Sequence, residues 1–422
     1  MPLRPGTLAA LLKPQYLRLA ALLLVLTLLL QQEGPPPGAL STGVNRIVAD
    51  DRFDYWGWEA EALWGKIVHW LAHPQRYLRG PDRVAVVRDY MDRLARLHDL
   101  ESRIAYVYAD PAVSDPDGAT AAMRAERDRL RAALAIRQPL VEAILEEQVG
   151  AVLAQEGLGY LGQPIPPVGL HFTPLPYFLI VSPRERIETL YQQELEHGLD
   201  PARQEAIEEA IDRTFDVSSL VTPIGGMSSW PAMLLESPNL AWVMEATAHE
   251  WTHHYLDAHP LGWAYDESQE ARTINETTAS IVGRAVGRAV LARYYPDLLP
   301  PEEEVEPGPP SEAPAFDFRT EMRKTRVVVD RLLAEGRVEV AERYMEMRRR
   351  FFWAHGYRIR KLNQAYFAFY GSYADRPGAA GEDPIGPLVR RLREESPSLR
   401  AFLARIDDIT SLEELRRALY QP

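Results

Sequence analysis

No cysteine occurs among the 422 residues. Disulfides, thiolate metal sites and a lipid-modified N-terminal cysteine are thereby excluded, and any metal must be held by His, Asp or Glu. Positive charge is in short supply: 47 Lys and Arg stand against 60 Asp and Glu, a net charge of −13. Nucleic acid is therefore not expected as a partner, because phosphate binding needs a basic surface. Long hydrophobic runs are also lacking. The uncharged apolar run at residues 19–30 has 12 residues, and as a helix it spans roughly 18 Å against a hydrocarbon core of ~30 Å. No internal repeat is visible.

Arg4, Lys13 and Arg18 precede that run, the order of a secretory segment. Residues 1–32 are read as a signal peptide or a signal anchor. No clean Ala-x-Ala cleavage site follows, which favours retention, and cleavage stays open. Either way the charges before the run place the rest of the chain outside the cytoplasm. Membrane contact runs through residues 16–32 if the segment is kept. Residues 33–43, with Gly34-Pro35-Pro36-Pro37-Gly38, form a stiff linker.

A chain of this length with 46% hydrophobic residues predicts several lobes. Residues 44–160 show helical spacing, as at Leu94, Leu97 and Leu100. Trp56, Trp58, Trp64 and Trp70 are expected to pack in the core of this lobe. Asp115-Pro116-Asp117-Gly118 marks a loop. A core segment at residues 161–299 begins with strands, at Leu170-His171-Phe172-Thr173 and Tyr177-Phe178-Leu179-Ile180-Val181. Residues 187–215 read as one charged amphipathic helix. Two more strands are expected at residues 220–227 and 230–235, with prolines consigning at least one to an edge. Residues 300–315 are acidic and proline-rich, a loop without chemistry. Residues 316–422 return to helices.

The sharpest signal is His249-Glu250-Trp251-Thr252-His253, preceded by Asn239 as helix N-cap. Residues i and i+4 of a helix differ by about 40° in rotation, so His249 and His253 share a face and can bind one zinc ion. Glu250 then lies beside the metal as a general base. His254 points about 140° away from His249 and is a poor ligand. Two residues compete for the third ligand position. Glu276 lies 23 positions after His253 on a second helical pattern. Small residues at Ala279, Ser280, Gly283 and Gly287 let that helix pack closely. His259 is the alternative, the final position of an H-E-x-x-H-x-x-G-x-x-H pattern. That pattern needs glycine at a sharp turn, where this chain has Leu256.

Asn275-Glu276-Thr277-Thr278-Ala279 resembles the gluzincin peptidases, in which the glutamate of an N-E-x-x-[AD] helix completes the zinc site. Gly225-Gly226-Met227, 24 positions before His249, is similar to the G-x-M-E-N strand of the large zinc aminopeptidases. There the strand binds substrate backbone by strand addition. Ser228 and Ser229 replace the Glu and Asn of that motif, and the missing Glu is the residue that grips the substrate's α-amine. Leu362-Asn363-Gln364-Ala365 with Tyr373 resembles the L-N-N-A…Y pattern of a family of bacterial predicted aminopeptidases. The resemblance implies an oxyanion-stabilising tyrosine, first Tyr373, then Tyr370 and Tyr366.

The expected fold is α+β and mainly helical. A small mixed sheet with an edge substrate strand lies beside a gluzincin-like two-helix zinc site, with an N-terminal helical lobe. The expected activity is zinc-dependent hydrolysis of peptides or proteins, leaning towards aminopeptidase. The alternatives are a metzincin-like endopeptidase using His259 and an exported non-catalytic protein with a structural zinc site.

Overall fold

The computed structural model describes residues 39–110, 112–299, 316–376 and 378–420. The apolar run at 19–30 and the acidic segment at 300–315 lie outside them. The chain divides into two compact units, residues 1–49 and 50–422. In the first, helix α1 covers Leu40–Ile47 and so begins inside the stretch assigned to the linker. Among the described residues no helix is long and apolar enough to cross a membrane.

The second unit opens with three helices: α2 (Tyr55–Ala72), α3 (Gly80–Ala109) and α4 (Pro116–Gln155). Asp115 is not within a loop but is the N-cap of α4. Its carboxylate accepts from Gly118 N at 2.9 Å, and Pro116 takes the first helical position, where a missing N–H costs nothing. The buried C-terminal half of α4 packs on α3 and the helices that follow. Val87, Leu94, Ile144, Leu153, Met244 and Val282 belong to one core, which also takes in Phe402 near the C-terminus. This core draws on the segments before residue 160, between 161 and 299, and after 384, while Met322, Val329, Met345, Phe352 and Phe367 pack in a second cluster.

Among the described residues eight short strands form three sheets where one was expected. They are β1 (Gly159–Tyr160), β2 (Gln163–Pro164), β3 (Leu170–Phe172), β4 (Tyr177–Pro183), β5 (Tyr191–Leu195), β6 (Val217–Pro223), β7 (Gly226–Met227) and β8 (Ala232–Leu234). β1 and β2 form a hairpin. β5-β4-β6 is antiparallel, and β3-β8-β7 is mixed, with β3 parallel and β7 antiparallel to β8.

Residues 187–215 are not one helix. They hold β5 and then α5 (Pro201–Phe215). Gly198 turns the chain at φ 81°, and Asp200 caps α5 through Arg203 N with Pro201 in its first turn. The acidic side chains mimic a helical pattern, but this Gly-x-Asp-Pro sequence starts the helix only at 201.

α6 (Leu240–Leu256), the short α7 (Pro260–Trp263) and α8 (Gln269–Tyr294) form the centre of the unit. α9 (Phe318–Ala334), α10 (Val338–Ala354), α11 (Gln364–Tyr370), α12 (Ile385–Glu394), α13 (Leu399–Ile406) and α14 (Leu412–Tyr420) complete it. The Leu-Asn-Gln-Ala motif ties α11 to the sheets. Asn363 caps the helix through Tyr366 N and donates to Ser219 O at 2.8 Å, while Gln364 donates to Arg184 O at 2.6 Å.

The tryptophan expectation fails in part. Trp58 is half-buried and donates to Thr173 Oγ1, but Trp56 and Trp64 are 79% and 69% exposed. Trp70's side chain lies outside the described set.

Candidate metal centre

α6 starts at Asn239, whose side chain accepts from Trp242 N at 3.2 Å. Val243, Met244, Ala248 and Trp251 bury one side of it, and the Trp251 indole donates to Pro166 O at 2.7 Å. α8 is capped by Ser268, which accepts from Ala271 N at 3.0 Å. α8 lies against α6 almost backbone to backbone. A Cβ added at Gly283 would stand 2.8 Å from Glu245 O and 3.1 Å from His249 Cβ, and one at Gly287 would stand 2.8 Å from Glu245 N. Only glycine permits this approach, and the approach is what brings a side chain as short as Glu276 to both histidines.

His249, His253 and Glu276 converge into a group that can hold a metal ion. The two Nε2 atoms are 3.1 Å apart, and Glu276 Oε2 lies 3.3 Å from His249 Nε2 and 3.5 Å from His253 Nε2. Tetrahedral zinc with bonds of ~2.0–2.1 Å separates its ligand atoms by about 3.3 Å. The observed triangle has that size. Among the described residues Glu276 Oε2 is buried without a hydrogen-bond partner, a costly state unless a ligand satisfies it. Two imidazoles and one carboxylate suit zinc or a related transition ion better than calcium or magnesium, which prefer all-oxygen sites.

Neighbouring groups hold the ligands in register. His253 Nδ1 lies 2.7 Å from Asn275 Oδ1. As the donor in that bond, Nδ1 keeps the proton and leaves the Nε2 lone pair facing the centre. Tyr265, on the turn between α7 and α8, donates its hydroxyl to Glu276 Oε1 at 2.5 Å, leaving Oε2 to the centre. The Arg272 guanidinium lies 4.4 Å over the Tyr265 ring and donates to Gln192 and Asp266. Burial works against charge on Glu276, but His253 and His249 outweigh it and hold the carboxyl well below its usual range.

Glu250 is buried beside the cluster, and burial pushes its carboxyl pKa up. It accepts no hydrogen bond among the described residues. Gly226 of β7 makes room for it: a Cβ there would lie 2.3 Å from Glu250 Oε1. β7 pairs only with β8 among the described strands. The opposite edge of this sheet, at β3, is occupied. Glu146 and Glu142 on α4 accept from Leu170 N and Phe172 N, and Gln138 donates to Phe172 O. The free edge is therefore the one at Glu250. Met227 continues that edge, and Gly225 O accepts from Leu235 N.

Tyr373 follows α11, and its ring stacks on His249 with centroids 6.1 Å apart. Its hydroxyl makes no hydrogen bond among the described residues. Burial, with the charges of Glu276 and Glu250, raises its pKa well above 10 and keeps it protonated. Tyr370 is committed elsewhere, 2.8 Å from Thr222 Oγ1, and Tyr366 packs on Tyr370.

His259 lies outside the cluster. It contacts Tyr255 O at 2.8 Å through Nδ1 and Asp407 at 3.4 Å through Nε2. His254 faces away, as its rotation requires. It donates from Nε2 to Ser229 O at 2.7 Å, and burial pulls its pKa down to about 4.

Tyr265 escaped the sequence reading. Its contact depends on how the turn after Pro260 folds back, and no spacing rule marks it. Comparisons with protein-family models, with curated proteins and with solved structures found no match.

Proposed function

We propose that the chain is a zinc-dependent peptidase of gluzincin type, with His249, His253 and Glu276 as ligands and Glu250 as the general base. The observation that carries this reading is the buried, unpartnered Oε2 of Glu276, set between two imidazole nitrogens at tetrahedral spacing. Three protein ligands leave one position open, the arrangement of catalytic rather than structural zinc. Zinc bound there would supply Lewis acidity, activating water and polarising the scissile carbonyl.

The chain's own residues do the rest. Glu250 takes a proton from the attacking water and passes it to the departing amine. The neutral Tyr373 hydroxyl donates to the carbonyl oxygen as negative charge develops there. The β7 edge hydrogen-bonds the substrate backbone by strand addition, keeping the peptide in line with Glu250. Asn275 and Tyr265 keep the ligands from rotating.

Aminopeptidase action needs an anion for the substrate's α-amine. Ser228 cannot supply one. Glu245 can: it lies one turn before His249 on the same face of α6, and forms no ion pair within 4.0 Å among the described residues. If residues 1–32 act as an export segment, this activity would meet peptides or envelope proteins outside the cytoplasm.

The test is hydrolysis of a peptide library by the zinc-loaded chain and by Glu250→Gln, with free and blocked amino termini. The reading expects Glu250→Gln to keep its zinc and lose activity, and free termini to be preferred. Equal activity of the two proteins would refute the enzyme reading. Equal cleavage of blocked and free peptides would refute the aminopeptidase part alone.

A further inference from the structure

We propose that α2 is an interfacial helix whose Trp56–Trp64–Leu71 face rests on a lipid bilayer and holds residues 50–422 against the membrane surface. Trp56, Trp64, Ile67, Val68 and Leu71 are 79%, 69%, 48%, 52% and 70% exposed. At 100° per residue they fall within an arc of about 120°. Among the described residues the flank of this stripe is open: at Gly65 none of their atoms lies within 4 Å of where a Cβ would stand.

The stripe is not a loosely docked core. The opposite side of α2 is pinned by charge. Lys66 Nζ lies 2.7 Å from both Glu142 and Glu146 on α4, Ala62 is buried, and Trp58 bonds Thr173. This buried ion pair fixes which side faces out. Taking about 220 Å² for a whole tryptophan, the two exposed ones alone show on the order of 300 Å² of surface. With the three aliphatic residues the patch passes the few hundred Å² that soluble monomers usually display.

The chemistry points to lipid rather than protein. Indole rings with apolar bodies and a polar N–H suit the bilayer interface, and an aromatic and basic rim completes such a surface. A few residues beyond the end of α2, Tyr77 is 74% exposed, and the Arg76 guanidinium lies 4.8 Å over its ring. The sequence also brings the bilayer near. The apolar run ends at Leu30, 25 positions before Tyr55, at most ~85 Å of extended chain. An 18-residue helix lying flat along the interface needs no spanning length.

The absence of cysteine makes the test clean. Single variants Trp64→Cys and Met347→Cys of the full chain, both at exposed positions, are labelled with an environment-sensitive fluorophore. They are reconstituted in phosphatidylcholine–phosphatidylglycerol vesicles. The expected result is a blue shift and quenching by acyl-chain nitroxide lipids at position 64, with aqueous iodide quenching alone at 347. Identical water-exposed behaviour at both positions would overturn the proposal. So would label self-quenching at 64 without lipid quenching, which would assign the face to a second copy of the chain. Neither outcome bears on the metal centre.

Discussion

Replacing Gly226 with alanine is expected to disable Glu250 while leaving the fold and the metal ligands in place. The added Cβ would stand 2.3 Å from Glu250 Oε1, 3.0 Å from Cδ and 3.3 Å from Cγ. Comfortable contact begins near ~3.5 Å, so the carboxylate must retreat by about 1 Å. The obstructing atoms are the tip of a side chain, not backbone, so the cost in stability stays at about 1 kcal/mol. Catalysis is less forgiving: misplacing a reacting group by ~1 Å costs about 100-fold in rate. Steady-state kinetics, zinc content and thermal unfolding of Gly226→Ala and wild type make the comparison. The expectation is kcat down about 100-fold with one zinc retained and Tm lowered by no more than a few degrees. In a Glu250→Gln background the same change should do almost nothing further, because both act through one carboxylate. Unchanged kcat in Gly226→Ala would refute the reasoning, as would a full additional loss in the double variant.

Tyr265→Phe removes the hydroxyl that orients Glu276, and zinc affinity measured against a competing chelator should weaken about 10- to 100-fold. Tyr373→Phe should lower kcat by about 100-fold and leave KM nearly unchanged, since its hydroxyl acts only as charge develops. Lys66→Met leaves Glu142 and Glu146 buried without their counter-charge, and denaturant unfolding should show a loss of about 3–5 kcal/mol. Burial alone would raise the Glu142 carboxyl, but Lys66 and His171 hold it down to about 2 against an ordinary 4.5. Its contribution to stability is therefore present above pH 4.5 and disappears as the pH falls towards 2, and unfolding titrations of the wild type should show that acid loss. Glu146, pushed up by its burial, offsets part of it.

The His249–His253 pair of the candidate metal cluster was legible because a helix repeats. Spacing alone put His249 and His253 on one face and turned His254 away. Glu276 needed a second kind of signal, the small residues at 283 and 287, whose meaning is the backbone contact with Glu245 and His249. Leu256 in place of glycine weighs against His259 in the sequence itself, and in the fold Asp407 is that histidine's partner. What stayed hidden depended on chain reversals or surroundings. Tyr265 reaches Glu276 only through the turn after Pro260. The strand at Tyr191–Leu195 was masked by charges spaced as in a helix. Trp56 and Trp64 read as core from composition, yet their side of α2 faces outward because Lys66 anchors the opposite side to α4. Hydrophobicity says that a residue seeks an apolar partner, not that the partner lies within the same fold.

X-ray absorption at the zinc edge on the zinc-loaded chain, alongside Glu276→Ala and His259→Ala, probes the proposed metal centre itself. The expected result is one zinc per chain with two imidazoles and one carboxylate in its shell, lost from Glu276→Ala and kept by His259→Ala. A chain that binds no zinc, or one whose zinc survives Glu276→Ala and leaves with His259, would contradict it.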